Sequence, residues 1–266
     1  LEPEVYSFHL LEELIKAAGR EGVSNFPIHI KIDTGMHRLG FAPEEIPALV
    51  DRLHRQSAVI PRSVFSHLVG SDAERFDSFT RRQIETFENA SAELQAGFSH
   101  KILRHICNTA GIERYPGAQF DMVRLGIGLY GIDPFTNKIL HNVGTLKTTK
   151  ILQIHDVPAD ETVGYSRKGI LTRNSRIAAI PIGYADGLNR HLGNGNAYCL
   201  VNGQKTPYVG NICMDVCMID VTDIDCKEGD KAIIFGDELP VTILADKLNT
   251  IPYEILTSVS NRVKRI

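Results

Sequence analysis

No block of lysine and arginine interrupts this 266-residue sequence: 29 basic residues are spread among 32 acidic ones, for a net charge of -3. Nucleic-acid binding needs basic side chains gathered against phosphates, so that class is set aside and small molecules or protein are the expected partners. No apolar run approaches the roughly 20 residues that span a bilayer. The opening LEPEVYSFHLLEEL carries acidic residues where a secretory leader needs basic ones, so a cytoplasmic protein away from membranes is expected. The five cysteines, at 107, 199, 213, 217 and 226, are too few and too scattered for a disulfide framework. Cys213 and Cys217 have the spacing of half a zinc site, but no second pair matches them, so no metal is expected. Repeats and low-complexity stretches are lacking as well.

What is there is 43% hydrophobic, enough for one or two cores, and its texture changes part-way. Phe8, Leu11, Leu14, Ile15 and Ala18 recur at helical spacing over 6–18, and Ile28, Ile30 and Ile32 then alternate with polar residues as a strand does. A helix over 43–56 with a strand over 59–67, and a long helix through Glu93 with a strand over 101–107, repeat the unit; 121–130 reads as one more strand with a glycine-punctuated loop. Repeated helix-then-strand units imply parallel strands. The first part, 1–137, therefore reads as a partial β/α (TIM-type) barrel, with too few strands for a closed eight-stranded one and its opening strands expected before Leu1. From 138 to 266 the runs 144–155, 176–182, 197–201, 207–209, 212–221 and 231–235 are β-branched and separated by turns, which predicts a mostly antiparallel β-domain. A helix over 241–248 and a segment over 252–265 close the chain, and the boundary is placed near Asn137.

The polar residues at the predicted strand ends are the candidate chemistry. The isoleucines of 28–33 share one face, so His29, Lys31 and Asp33 share the other, the interior of a barrel. An interior lysine must be paired or altered, and the plain reading pairs Lys31 with Asp33 or another acid. Arg38 lies in the following loop, a candidate donor to an anion or hydroxyl. His67 ends the next strand, where a satisfied structural histidine and a functional one are both open. Thr109, Arg124 and the glycines at 126 and 128 would bring several donors to one rim, which favours a phosphorylated ligand. Tyr184 ends a strand in the second part; it either packs there or acts as a general acid or base.

The segments KIDTGMHRLG, SHLVGSD, CNTAG with VRLGIGLYG, VGYSRKG, IPIGYADG and VGNICMD, in that order along the whole chain, resemble alanine racemases. The resemblance implies a pyridoxal 5'-phosphate (PLP) enzyme that interconverts L- and D-alanine and supplies D-alanine for peptidoglycan. It implies a head-to-tail homodimer whose active sites are completed by the β-domain of the other subunit. By it, Arg124 faces the pyridine nitrogen, His67 supports Arg124, and Arg38 donates to the phenolic oxygen. Thr109, Gly126 and Ile127 hold the phosphate, and Asn261 stands where some relatives place a phosphate-touching tyrosine. Tyr184 is the base on one face, with Met214 and Tyr165 lining the substrate side. Lys31 stands where the family often carries a carbamylated lysine, an anion that pairs with the arginine at position 38.

The family's second base is the lysine that carries the cofactor, in a stretch like VKANAYGHG, and nothing in this chain resembles it. The 266 residues alone are therefore expected to be inactive, as a fragment or as the racemase module of a ligase–racemase fusion. Three rivals stay open: an amino-acid decarboxylase of the same fold, which pairs the pyridine nitrogen with an acid and so fits Arg124 poorly; a single-domain PLP carrier, which lacks a β-domain; and a non-catalytic interaction module.

Overall fold

The computed structural model describes residues 1–136, 140, 144–147 (Lys147 by its backbone alone) and 150–266. The chain separates into two compact units, Leu1–Leu140 and His141–Ile266. The expected boundary at Asn137 lies outside the described residues.

In the first unit, strands β1 (Glu4–Val5), β2 (Phe26–Lys31), β3 (Val59–Phe65) and β4 (Leu103–His105) form a parallel sheet in chain order. Helices α1 (Phe8–Arg20), α2 (Ile46–His54) and α3 (Asp77–Ala96) make the crossovers that parallel neighbours require. Ser7 caps α1, its hydroxyl accepting from the Leu10 amide at 3.3 Å, and Leu11 points the helix inward. Ile28, Ile30, Val64 and Ile106 are buried with Leu11, Leu49, Phe87 and Leu94 in one apolar cluster. The opposite face of the sheet is left to polar residues. Helix α4 (Thr109–Arg114) follows β4.

The second unit carries β5 (Leu146–Lys147), β6 (Gln153–Val157), the ribbon β7 (Thr162–Val163) and β8 (Gly169–Ile170), β9 (Ser175–Ile180), β10 (Tyr198–Val201), β11 (Gln204–Val209), β12 (Cys217–Asp220) and β13 (Ala232–Phe235). Its main sheet runs β5-β13-β10-β11-β12-β9-β6, antiparallel between neighbours throughout. Helices α5 (Val241–Lys247) and α6 (Pro252–Ser258) follow. A barrel-type β/α unit followed by an antiparallel β-domain is the class expected from the sequence.

Four details differ from the sequence reading. The expected strand over 121–130 is a coil entering a 3-10 turn, Ile127–Tyr130. Its cause is local: the Thr109 hydroxyl takes the amides of Gly126 and Gly128 at 2.9 and 3.2 Å, which removes them from any ladder. The run 212–221 is strand only over Cys217–Asp220, because 211–216 is occupied with holding other loops. The run 144–155 holds two strands, β5 and β6, with 148 and 149 outside the described residues. Strand β1, two residues long, is too short to show an alternation.

Candidate functional site

The carboxyl ends of β2, β3 and β4 converge in the first unit. Across the polar face, Lys31, Phe65 and His105 are register neighbours on three successive strands. The Phe65 and His105 rings stack at 5.0 Å, and Lys31 Nζ and the Arg124 guanidinium lie 5.1 and 5.2 Å from the Phe65 ring centre. Lys31 is 6% exposed. Its acid partner is Glu4 at 3.5 Å, not Asp33. Asp33 lies beyond the end of β2, and its Oδ1 accepts from the amides of Gly35, Met36 and His37, each at 3.0 Å, so it shapes the loop that carries Arg38. Arg38 itself is exposed.

Arg124 is fixed to the end of β4 by its amide, which donates to Cys107 O at 2.9 Å. Its guanidinium donates to His105 Nδ1 and Ser66 O, both at 2.5 Å, and lies 3.3 Å from His67 Nδ1. An arginine only donates, so both histidines must accept. Their basicity allows it: burial first, then the charges of Arg124, Arg38 and Lys31, pushes His67 down to about 4. Burial, followed by Arg124 and His29, does the same to His105, also to about 4. With Nδ1 of His105 accepting, its Nε2–H points at Ser63 Oγ, 3.1 Å away. The buried Ser63 hydroxyl then gives its proton to His29 Nδ1 at 2.6 Å, and His29 Nε2 faces Glu2 Oε2 at 3.0 Å. One arginine thus orders a line of hydrogen bonds along the polar face. Sequence reading named Arg124 and His67 but missed His105 and Ser63; their signal was present in the period-2 pattern of β3 and β4, where both fall on the face of Lys31.

Thr109 begins α4 and draws the 126–128 turn against it; a Cβ on Gly128 would meet Thr109 Cγ2 at 2.7 Å. Among the described residues, no acceptor is paired with the Ile127 amide that lies between the two bonded glycine amides. Lys31, Arg124 and His67 are therefore in one cluster, with Arg38 near enough to act on His67 and the Thr109–Ile127 turn attached through the Arg124 segment.

The second unit groups Tyr184, Met214 and Asn261. Tyr184 opens a 3-10 turn after β9; its amide donates to Cys213 O and that of Ala185 to Met214 O, both at 3.0 Å. Gly183 makes this approach possible, since a Cβ there would meet the Cys213 and Met214 oxygens at 2.3 Å. The Ser260 amide, next to Asn261, donates to Asp186 O at 3.1 Å. Tyr165 joins the same loop less directly, its carbonyl accepting from Asn211 Nδ2 at 3.1 Å. Tyr184, Met214 and Tyr165 are 47%, 52% and 71% exposed. Beside Tyr184 opens a cavity of about 800 Å³ lined by Asn189, Arg190, His191, Lys247 and Glu254.

Comparison with known proteins agrees with the sequence pattern. The family pattern described as alanine racemase, N-terminal domain, matches residues 1–134, and that of the C-terminal domain matches 143–266. The chain belongs to the alanine racemase family. It is 39% identical to alanine racemase 2 of Caldanaerobacter subterraneus over 98% of this chain and 69% of that protein, and 39% identical to the Aeromonas hydrophila alanine racemase over 88% and 65%. Among solved structures, the alanine racemase of Bartonella henselae with covalently bound pyridoxal phosphate superposes with a TM-score of 0.88 at 32% identity, covering all of this chain and 73% of that one. The alanine racemase from Streptomyces coelicolor gives 0.92 at 28%, covering 100% and 72%. The chain thus spans about two-thirds to three-quarters of each of these relatives.

Proposed function

We propose that this chain provides the main cofactor-binding and one-base portion of a PLP-dependent enzyme that interconverts L- and D-alanine. The observation that carries the reading is Arg124: a cation held at the strand ends by neutral histidines and carbonyls, with no acid bonded to it among the described residues. Facing a pyridine nitrogen, such a group leaves that nitrogen unprotonated, because two cations would otherwise be opposed. A decarboxylase of the same fold would want an acid there. The first unit fits the cofactor elsewhere too: Thr109 and the Gly126–Ile127 turn would hold its phosphate and Arg38 its phenolic oxygen, while Asn261, in the second unit, is proposed as a further phosphate donor. When bound, PLP supplies the electron withdrawal that loosens the proton on the alanine Cα.

Racemisation needs a proton taken from one face of that carbon and returned on the other. Tyr184 takes the first role, with Met214 and Tyr165 lining the substrate's approach. The second base is a lysine from a segment like VKANAYGHG, which these 266 residues do not contain, so we propose that they are inactive without it. The exposure of Tyr184, Met214 and Tyr165 supports a head-to-tail dimer in which each β-domain serves its partner's cofactor. The product D-alanine would feed peptidoglycan in the cytoplasm.

Lys31 is proposed to be carbamylated. Support lies in its burial beside Phe65, in a neighbourhood already holding Arg124 and Arg38. A carbamate would turn it from the partner of Glu4 into that of Arg38. An intact mass measured in neutral bicarbonate that shows only the bare lysine speaks against it.

The main test is D-alanine formation from L-alanine with PLP, by this chain and by a protein that also carries the preceding family segment. Activity in the longer protein alone is expected. No activity in either, together with a tight dimer and no cofactor absorbance, would favour the interaction-module reading.

A further inference from the structure

The Tyr184 turn, the Met214 loop and the C-terminal tail lie far apart along the chain, yet one side chain bonds to two of them from the third. Arg262 Nε donates to Asp186 Oδ1 at 2.7 Å and its NH2 donates to Asp215 Oδ1, also at 2.7 Å. Asp186 is already committed to its own turn, since Oδ2 accepts from the Gly183 amide at 2.8 Å. The backbone closes the same ring: Tyr184 and Ala185 donate to the carbonyls of Cys213 and Met214, and Ser260 donates to Asp186 O. Each of the three side chains in this ring has a candidate site residue one or two positions before it: Tyr184 before Asp186, Met214 before Asp215, Asn261 before Arg262.

We infer that Arg262 is a positioning residue for the reaction: it locks Tyr184, Met214 and the tail at Asn261 into one rigid constellation and itself touches neither substrate nor cofactor. The physical case is geometric. A guanidinium presents separate N–H directions in a fixed plane, so bonding Nε to one carboxylate and NH2 to another fixes the distance between the two loops. A lysine in its place is a point charge on a flexible stem and would hold one carboxylate at a time. Asp215 is exposed and belongs to no helix or strand, so without Arg262 the hydrogen bonds that tie its loop to the tyrosine turn, among the described residues, are the two backbone ones from Tyr184 and Ala185. Asp186 stays tied to Gly183, so the turn would loosen and not unfold. Catalysis is sensitive to such loosening, because displacement of about 1 Å between a base and its proton costs on the order of 100-fold.

The role for the reaction rests on the reading of Tyr184 as one of two bases; the locking does not. Two measurements separate them. Amide hydrogen exchange on the whole chain, read residue by residue by NMR without cofactor, is expected to show Tyr184, Ala185 and Ser260 exchanging at least about 10-fold faster in Arg262→Ala, with β9 and β12 unchanged. Arg262→Lys should fall between, and Arg173→Ala, which breaks an exposed pair with Asp223, should leave those amides as they were. Unchanged exchange in Arg262→Ala, or acceleration spread evenly over the unit, overturns the lock. The second measurement uses the PLP-loaded protein carrying the preceding segment, with alanine deuterated at Cα. If Arg262 positions one base of two, its loss lowers kcat/KM equally in both directions, as the fixed equilibrium between enantiomers requires, but raises the isotope effect in one direction only, with the lysine variant partly restored. An isotope effect that rises equally in both directions, or in neither, overturns the positioning role. A wild-type protein that does not racemise alanine at all defeats the functional reading and the positioning role with it, while the exchange result still decides the lock.

Discussion

His67 and His105 are two imidazoles kept from protonating by burial first and then by the charge of Arg124, and their stability effect has a definite sign. Both titrate near 4 when folded, against about 6.5 when free. Between those values the unfolded chain binds the extra protons, so stability rises with pH across that window and is lost as pH falls from 6.5 towards 4. The limiting slope is about 1.4 kcal/mol per pH unit for each fully shifted histidine. Urea midpoints should therefore drop steeply from pH 7 to 5, and His105→Gln should flatten that drop; a variant with the same slope as wild type would refute the assignment. The Asp33 carboxyl, held low by the loop amides and His37 against the opposing effect of burial, works in the same sense at lower pH: its stabilisation is present above about 3.8 and lost only below it, outside this window. For activity, Tyr184→Phe should lower the rate by a factor of about 100 or more, the usual scale for a removed acid–base group, when the longer protein is assayed. His67→Ala, which strips one acceptor from Arg124, should cost about 10-fold, with near-normal melting as the control.

At the scale of elements, two close approaches set where the loops lie. Gly183→Ala would thrust a methyl against the Cys213 and Met214 oxygens, 2.3 Å away, and should destabilise by about 1–3 kcal/mol, read as a fall in the melting midpoint. Thr109→Val removes the acceptor of the Gly126 and Gly128 amides, and a PLP titration followed by absorbance should show affinity weakened by about 10-fold. These elements also mark how far the sequence could be read. The period-2 runs of β2 and β3 and the helical spacing of α1 announce themselves because each buries one face along its length. The stretch 121–130 does not: it is apolar and glycine-bearing like a strand, and only the Thr109 hydroxyl, reached through space, diverts its amides. Lys31 needed a partner, as its strand position says, but that partner, Glu4, lies on a two-residue strand that leaves no pattern. The ring made by Arg262 was hidden for the same reason, since its three segments meet only in the fold.

For the whole molecule, Tyr184, Met214 and Tyr165 expose large side chains that a solitary chain would gain by covering. A dimer built on that face predicts that specific activity of the longer protein falls on dilution, in step with the dimer fraction seen by sedimentation. Constant activity through full dissociation would refute shared sites. Family membership fixes the two-part architecture and leaves the division of labour between subunits to this experiment.

The line from Arg124 through His105, Ser63 and His29 to Glu2 resembles a proton wire, but its head forbids that use. A wire must be able to reverse all its bonds after each passage, and the guanidinium has no lone pair with which to accept one back. The line is therefore an insulator: it orients dipoles along the sheet and passes no proton that arrives from solvent at Glu2 on to the far side of Arg124. Under the proposed placement of Arg124 at a pyridine nitrogen, this row of side chains would supply that nitrogen with no proton.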